Sequence, residues 1–443
     1  MSPLLSPRVF VQRFRANPAR ARAAFLAILA VVLVGISLKY AAKVARPGED
    51  GKQSRSAFLR WRSMILDMAA GANVYVGVNE YPNPPIMAAI LRPFAELPPV
   101  AGALAWFYAK VLMAALAALW AFRLIGNVPD WAKALAILCA LPPLLGDLSH
   151  NNVNIFILFL VAACLEAYRR NWDFTSGIVL ALSIACKVTP LLFVAYFAWK
   201  RSWRALAGCA AGLGLWLFIV PGAMFGVERN NELLDSWYKL MVRPALVENR
   251  VTSEHPNQSL PGVVVRLLTH APSFIEYDKT PDGDIPRAAD FHNITDIGSA
   301  SARWLVQGLM GAFALLIVVL CRAPRSERQG LRFAAECSLI VLGMLLFSER
   351  TWKHHAVTLL FPFAVIAYAL SSEVSSRTRS FLVGVLVAVG LLTAGTGALS
   401  GRAADLAMVY GSYTIAFLLL TTAVCVVLVN HREPVANAPA PLP

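Results

Sequence analysis

The sequence predicts an all-α polytopic membrane protein, on three observations. Of its 443 residues, 58% are hydrophobic and only 15% charged, with a mean hydropathy of +0.59; a soluble chain of this length needs more polar surface. Apolar stretches of about 17 to 25 residues, the length that crosses a hydrocarbon core, recur from end to end. The arginines collect in short segments between them: PRVFVQRFRANPARAR, AYRRNWD, WKRSWR, CRAPRSERQGLR and SSRTR. Basic short loops of this kind stay cytoplasmic. The net charge of +14 is therefore no sign of a nucleic-acid partner, and none is expected.

Hydropathy and charged stops place the spans in order at roughly 23–43, 101–125, 132–147, 151–168, 174–186, 188–200, 204–225, 302–321, 332–348, 355–371, 380–399 and 407–429. That makes about twelve crossings, with both termini cytoplasmic and every basic cluster on the inner side. The first apolar run, AAFLAILAVVLVGISLKYAA, follows five arginines and has no small-residue cleavage site after it, so it reads as a retained span. The segments at 132–147, 174–186 and 188–200 fall below the usual spanning length.

Two long segments remain on the outer side, 44–100 and 226–301, within a single integral membrane domain over 1–443. In SAFLRWRSMILDMAAG, Phe58, Trp61, Ile65 and Met68 recur at helical spacing against Arg60, Arg62 and Asp67, which predicts an interfacial amphipathic helix. ANVYVGVNEYPNPP enforces a turn, and IMAAILRPFAELPP is too short to span. The second segment reads as acidic and irregular through DKTPDGDIPRAADFHNITD, except for the compact EHPNQSLPGVVVRLL.

All seven cysteines lie within or at the ends of apolar runs, so neither a disulfide framework nor a thiolate metal site is expected. Six of the seven histidines, His150, His255, His270, His292, His354 and His355, fall on the predicted outer side with most of the acids. Ionisable groups at membrane depth usually face a cavity, so any chemistry belongs at that face.

Four polar stretches interrupt the apolar pattern there. LLGDLSHNNVN brings Asp147, His150, Asn151, Asn152 and Asn154 to the junction of two spans. Such residues cap helices, and the same amides at a helix N-terminus suit sugar hydroxyls or phosphate. Lys187, in ACKVTPLLF, either snorkels to the interface or projects into a cavity to meet an anionic lipid phosphate. Pro190 breaks the helix beside it. NQSL at 257–260 is a helix cap, a formal glycosylation acceptor, or a sugar contact through Asn257 and Gln258. SERTWKHH at 348–355 matches no metal-ligand spacing, but its histidines, arginine and lysine suit an anion site.

Taken in order, these stretches resemble glycosyltransferase family 87, the polyprenyl-phosphate-mannose-dependent mannosyltransferase-like membrane proteins of the GT-C superfamily. GANVY and YPNPP are similar to the family's G-x-x-x-Y and Y-P-P, HNNVN to G-Q-x-N, KVTP to K-x-T-P, NQSL to NQS, and SERTWKHH to S-x-x-S-W-x-H-H before an apolar run containing Pro362. The resemblance implies a GT-C fold in the cell (inner) membrane. It also implies a polyprenyl-phosphate sugar donor, with mannose the common sugar, and transfer to a lipid or glycan acceptor at the outer face, with inversion and without nucleotide, cofactor or obligatory metal. It gives the donor phosphate to Lys187, His354 and His355, with Arg350 or Lys353 in support, and the sugar or acceptor to Tyr75, Tyr81, Asn152, Asn154, Asn257 and Gln258.

The chain departs from the family at the base. The family's aspartate opens a D-F-x-x-Y segment about eighteen residues before the tyrosine of G-x-x-x-Y, and that count from Tyr75 lands on Ala57. Asp67, Asp50 and Glu49 are the nearby carboxylates, with Asp67 favoured because its helix holds it in place. HNNVN also lacks the family's glutamine, which leaves the sugar open. The missing aspartate keeps a second reading alive, a protein that binds or transports a lipid-linked sugar without chemistry. The large asymmetric outer segments and the absence of repeated halves favour the enzyme.

Overall fold

The structure, a computed structural model, describes residues 18–46, 56–76, 81–248, 250–280, 283–399 and 401–430. In chain order the helices begin with α1 (Pro18–Ala45), α2 (Ala57–Ala69), α3 (Pro85–Ala95), α4 (Pro99–Ile125), α5 (Asp130–His150), α6 (Asn154–Arg169), α7 (Asp173–Cys186), α8 (Leu192–Trp199) and α9 (Trp203–Gly214). A π turn over Leu215–Ile219 carries α9 into α10 (Val220–Phe225), followed by α11 (Val227–Trp237), α12 (Arg243–Leu246) and α13 (Leu260–Leu268). An antiparallel hairpin of β1 (Pro272–Thr280) and β2 (Gly283–Phe291) precedes α14 (Ser299–Leu320) and α15 (Leu331–Leu346). A 3-10 turn over Lys353–Leu359 leads into α16 (Leu360–Ser371), then α17 (Ser376–Ala398), α18 (Arg402–Val409) and α19 (Ser412–Asn430).

The chain is a mostly helical, multi-pass membrane protein. Among the described residues, eight helices are long and apolar enough to cross a bilayer. Four of the expected crossings, 151–168, 174–186, 188–200 and 332–348, are instead the shorter helices α6, α7, α8 and α15. At 1.5 Å per residue, α6 and α15 reach only about 24 Å. They stay apolar because they are buried on nearly every side, α15 almost along its whole length. Window hydropathy reads apolar character and does not distinguish a lipid-facing helix from one packed inside the protein. The last expected span also divides, into α18 and α19 at Gly411, whose φ is 76°.

Around this core stand α4, α5, α16 and α19, while α1 and α14 turn apolar faces outward; only Ala302 of α14 is buried. The α7 and α9 helices meet at backbone contact. A Cβ on Gly177 would lie 2.0 Å from the Ala205 carbonyl oxygen, and one on Gly208 would lie 2.1 Å from that of Phe174. Small residues permit this approach in a membrane, where dispersion and close packing drive helix association.

At the end of the bundle where α15 begins, Glu336 is fully buried and pairs with Lys200 at 2.7 Å. It also accepts from the Tyr196 hydroxyl at 2.8 Å and the Ala323 N–H at 2.6 Å. Lys200 completes the knot by donating to the Cys321 and Ala323 carbonyls. Removing one charge strands the other, at a cost of about 3–5 kcal/mol. Glu336→Ala is expected to lower the melting temperature in detergent by several degrees or more, whereas Lys239→Ala, which breaks an exposed i,i+4 pair with Asp235, leaves it within about a degree.

On the opposite side, α2 buries Phe58, Trp61, Ile65 and Met68 against α3 and α4, the four positions its periodicity marks. The hairpin in the second long segment was hidden in the sequence. Pro286 sits inside β2, and the facing residues are mostly charged or small, so nothing reads as an alternating strand.

Candidate active site

The site starts at the junction of α5 and α6. Asn151 ends α5 with φ 54°, a left-handed conformation that asparagine tolerates, and reverses the chain within three residues. Its amide nitrogen donates to the Tyr40 hydroxyl at 2.6 Å and to the Ala103 carbonyl at 3.0 Å, tying the turn to α1 and α4. Asp147, one turn before the end of α5, faces inward and is fully buried. Its carboxylate accepts from the Asn154 amide at 3.0 Å and from the Ile155 N–H at 3.4 Å, capping the first turn of α6. From α4, Lys110 donates to the same carboxylate at 3.2 Å and to the Asp147 carbonyl at 3.0 Å.

Lys187 enters from the other side. It ends α7 in an extended conformation, φ −156° and ψ 125°, before the Thr189–Leu191 turn built on Pro190. Its ammonium donates to the Asn154 side-chain oxygen at 2.8 Å. A cation at the C-terminal end of a helix is favourably placed against the helix dipole.

The third wall is the SERTWKHH stretch. His355 N–H donates to the Trp352 carbonyl, and the Trp352 N–H donates to His355 Nδ1 at 3.3 Å. That assigns Nδ1 as the acceptor, so in the neutral ring Nε2 carries the proton. The rings of His354 and His355 sit 4.9 Å apart, and His150 packs at a tilt against His354 at 5.3 Å. Asn152 lies 3.3 Å from His354 Nε2. Together the three walls enclose a cleft of about 20 Å³. Asn154, Lys187, Thr189, Ser348, His355 and Thr358 supply its polar lining over a floor of Ile157, Met344 and Leu345. The Thr358 hydroxyl is buried without a hydrogen-bond partner.

The structure thus brings Lys187, Asn154, His354, His355 and Asn152 together. Arg350 and Lys353 have exposed side chains and do not line the cleft. Asn257 and Gln258 are fully buried, and their amides are engaged inside the protein. Asn257 donates to the Thr252 and Glu349 carbonyls and accepts from the Ser259 and Thr351 N–H groups, which uses all four of its bonds. Gln258 donates to the His255 and Met408 carbonyls and accepts from the Tyr413 N–H. These bonds hold the SERT turn against α13 and α18, and they leave Asn257 no polar atom for a sugar. Buried Arg266 adds five bonds to backbone carbonyls of the same region.

Tyr75 and Tyr81 are buried in the segment between α2 and α3, beside Trp61. Tyr75 donates to the Asn83 carbonyl at 2.8 Å. The Tyr81 hydroxyl is buried beside Asn83, and burial pushes its pKa above the usual tyrosine range. Among the candidate bases, Asp67 lies on the exposed face of α2, opposite its four buried residues. Glu49 and Asp50 lie outside the described residues.

Sequence reading passed over Lys110 and treated Asp147 only as a cap. A lone lysine inside the apolar run WFYAKVLMA was the available signal, since an ionisable group at membrane depth implies a partner. Nothing in the sequence paired it with Asp147, 37 residues on.

Comparison with known proteins adds a family. The sequence model of glycosyltransferase family 87 matches residues 81–349, more than half of the chain. The chain is 23% identical over 331 residues to a polyprenol-phosphate-mannose-dependent alpha-(1-2)-phosphatidylinositol mannoside mannosyltransferase of Mycolicibacterium smegmatis, covering 70% of this chain and 65% of that protein. It is 28% identical over 147 residues to the protein of the same description from Mycobacterium tuberculosis, covering 29% and 34%. The chain thus spans just under two thirds of the first relative and about a third of the second. Among solved structures, ArnT from Cupriavidus metallidurans in the apo state aligns with a TM-score of 0.43 at 13% identity, covering 93% of this chain and 78% of that one.

Proposed function

The chain belongs to glycosyltransferase family 87, and from that premise we propose that it transfers a sugar, mannose in the first instance, from a polyprenyl-phosphate donor to a lipid or glycan acceptor at the outer face of the cell membrane. The observation that carries the reading is the cleft itself. It gathers the Lys187 ammonium, the His355 ring and the unpartnered Thr358 hydroxyl where the polar ends of several buried helices meet. Cationic and N–H donors in a water-poor site are what a departing phosphate needs, because charge builds on it as the bond to the sugar breaks.

In the reaction, the acceptor hydroxyl oxygen attacks the anomeric carbon while the bond from that carbon to the phosphate oxygen breaks, and the electron pair leaves with the lipid phosphate. Lys187 and His355 Nε2–H donate to the phosphate oxygens, with His354 and Asn152 behind them. A carboxylate takes the acceptor proton. We assign that role to Asp67, whose exposed place on α2 lets an incoming acceptor reach it, with Asp50 and Glu49 as the alternatives. The cleft volume of about 20 Å³ is on the scale of a water molecule, so seating a phosphate requires the rim side chains to move.

The test is transfer from labelled polyprenyl-phosphate mannose to endogenous acceptors in membranes carrying the full chain. His355→Ala is expected to lower the rate about a hundredfold, the scale of losing one charge-stabilising donor; transfer untouched by that change overturns the site assignment. Replacement of Asp67, Asp50 and Glu49 together is expected to abolish transfer. If function survives that replacement and donor binding persists, the non-catalytic binding or transport reading takes its place.

A further inference from the structure

The polar groups of the cleft rest on a buried ion pair that no substrate can touch. We infer that Lys110 and Asp147 form a positioning device that acts through Asn154 to hold Lys187 at the cleft. The inference rests on the reading of that cleft as a phosphate site.

The argument turns on which groups can donate. An ionised carboxylate only accepts, so its bond to Asn154 fixes that amide with its NH2 toward Asp147 and its oxygen toward Lys187. With the amide turned the other way, its NH2 would face the Lys187 ammonium and its oxygen would face the carboxylate. Both contacts would be repulsive, so Asp147 sets the orientation of Asn154 and Asn154 sets the place of Lys187.

Lys110 keeps the device in register. It bonds both the carboxylate and the carbonyl of Asp147, and both side chains are 0% exposed. It also balances the charge: Asp147 is matched by Lys110, and among the described residues Lys187 has no carboxylate within ion-pair distance. The cation at the cleft is therefore available to an incoming anion. Neither Lys110 nor Asp147 lines the cleft, so neither is a catalytic residue. A buried pair of this kind is weak evidence for stability, since apolar replacement of both partners is often neutral or stabilising. Fold stability and site geometry are thus separable by experiment.

The experiment uses the full chain in detergent or lipid nanodiscs, with polyprenyl phosphate as the binding probe and the melting temperature read alongside. The double variant Lys110→Met with Asp147→Asn removes the pair without stranding a charge and keeps an oxygen to accept from the Ile155 N–H, and Asn154→Leu removes the link while leaving the pair intact. Each is expected to keep a melting temperature near that of the parent and to bind polyprenyl phosphate about tenfold more weakly, the scale of one lost hydrogen bond to a charged group. On a Lys187→Met background neither change is expected to weaken binding further, because the device acts only through that ammonium. A double variant that folds and binds like the parent overturns the inference, as does full additivity with Lys187→Met. If the double variant does not fold, unchanged binding by Asn154→Leu overturns it. A parent chain that binds no polyprenyl phosphate overturns the phosphate reading and this inference with it. Binding lost in Lys187→Met but retained in both other variants overturns this inference alone.

Discussion

Lys187→Met is expected to reduce sugar transfer by about 10²- to 10³-fold, the largest catalytic effect of any single change in the proposed site. Lys187 is the cation of the cleft, held 2.8 Å from the Asn154 oxygen at the broken end of α7. Methionine keeps the length and apolar body of the side chain and removes only the charge and its donors. The loss should therefore fall on transfer while the melting temperature moves little. The measurement is the initial rate with labelled polyprenyl-phosphate mannose, read beside thermal unfolding of the same preparation. A variant that melts like the parent and transfers at more than a tenth of its rate removes Lys187 from the phosphate role.

The second large effect concerns the fold. Gly208→Leu is expected to abolish accumulation of monodisperse protein, and even Gly208→Ala should lower the melting temperature measurably. The added Cβ meets the Phe174 carbonyl oxygen at 2.1 Å, a backbone atom that no rotamer change can move aside. The two helices must part, and overpacking a close-packed interface costs about 1–3 kcal/mol for modest insertions and more where backbone must shift. Gly384→Leu is the control, since a Cβ there has nothing within 4 Å. Size-exclusion profiles and melting curves of the three variants decide the matter; equal behaviour of Gly208→Leu and Gly384→Leu would refute the packing argument. The α7 helix also carries Lys187 at its C-terminal end, so a milder change at Gly208 that still folds should cost transfer as well.

Some of this was legible from residue order. The periodicity of Phe58, Trp61, Ile65 and Met68 marked α2 and its buried face, because helix geometry repeats locally and needs no knowledge of partners. The polar stretches stood out because charge is costly in lipid, and Lys187, His354 and His355 do converge in space. The span count was less legible. Hydropathy scored α6, α7, α8 and α15 as crossings, although all four fall short of the spanning length and α6 and α15 are buried on nearly every side.

The NQSL stretch shows the limit most plainly. An asparagine and glutamine in an outer loop read as sugar contacts, yet Asn257 bonds the SERT turn 92 residues away and Gln258 bonds Met408, 150 residues away. A polar residue in sequence is an offer of hydrogen bonds, and only the tertiary structure decides who accepts it.

By itself the sequence determined that this chain lives in a bilayer, since apolar runs this long and this frequent are costly to expose to water; the sidedness of its basic loops was an expectation drawn from the cost of charge in hydrocarbon. Only the tertiary structure decided that Lys110 meets Asp147, that Asn154 faces Lys187, and that Asn257 and Gln258 are structural knots. Those are long-range pairings set by how buried helices fit together, and helix packing depends on shape across many residues that no local pattern encodes.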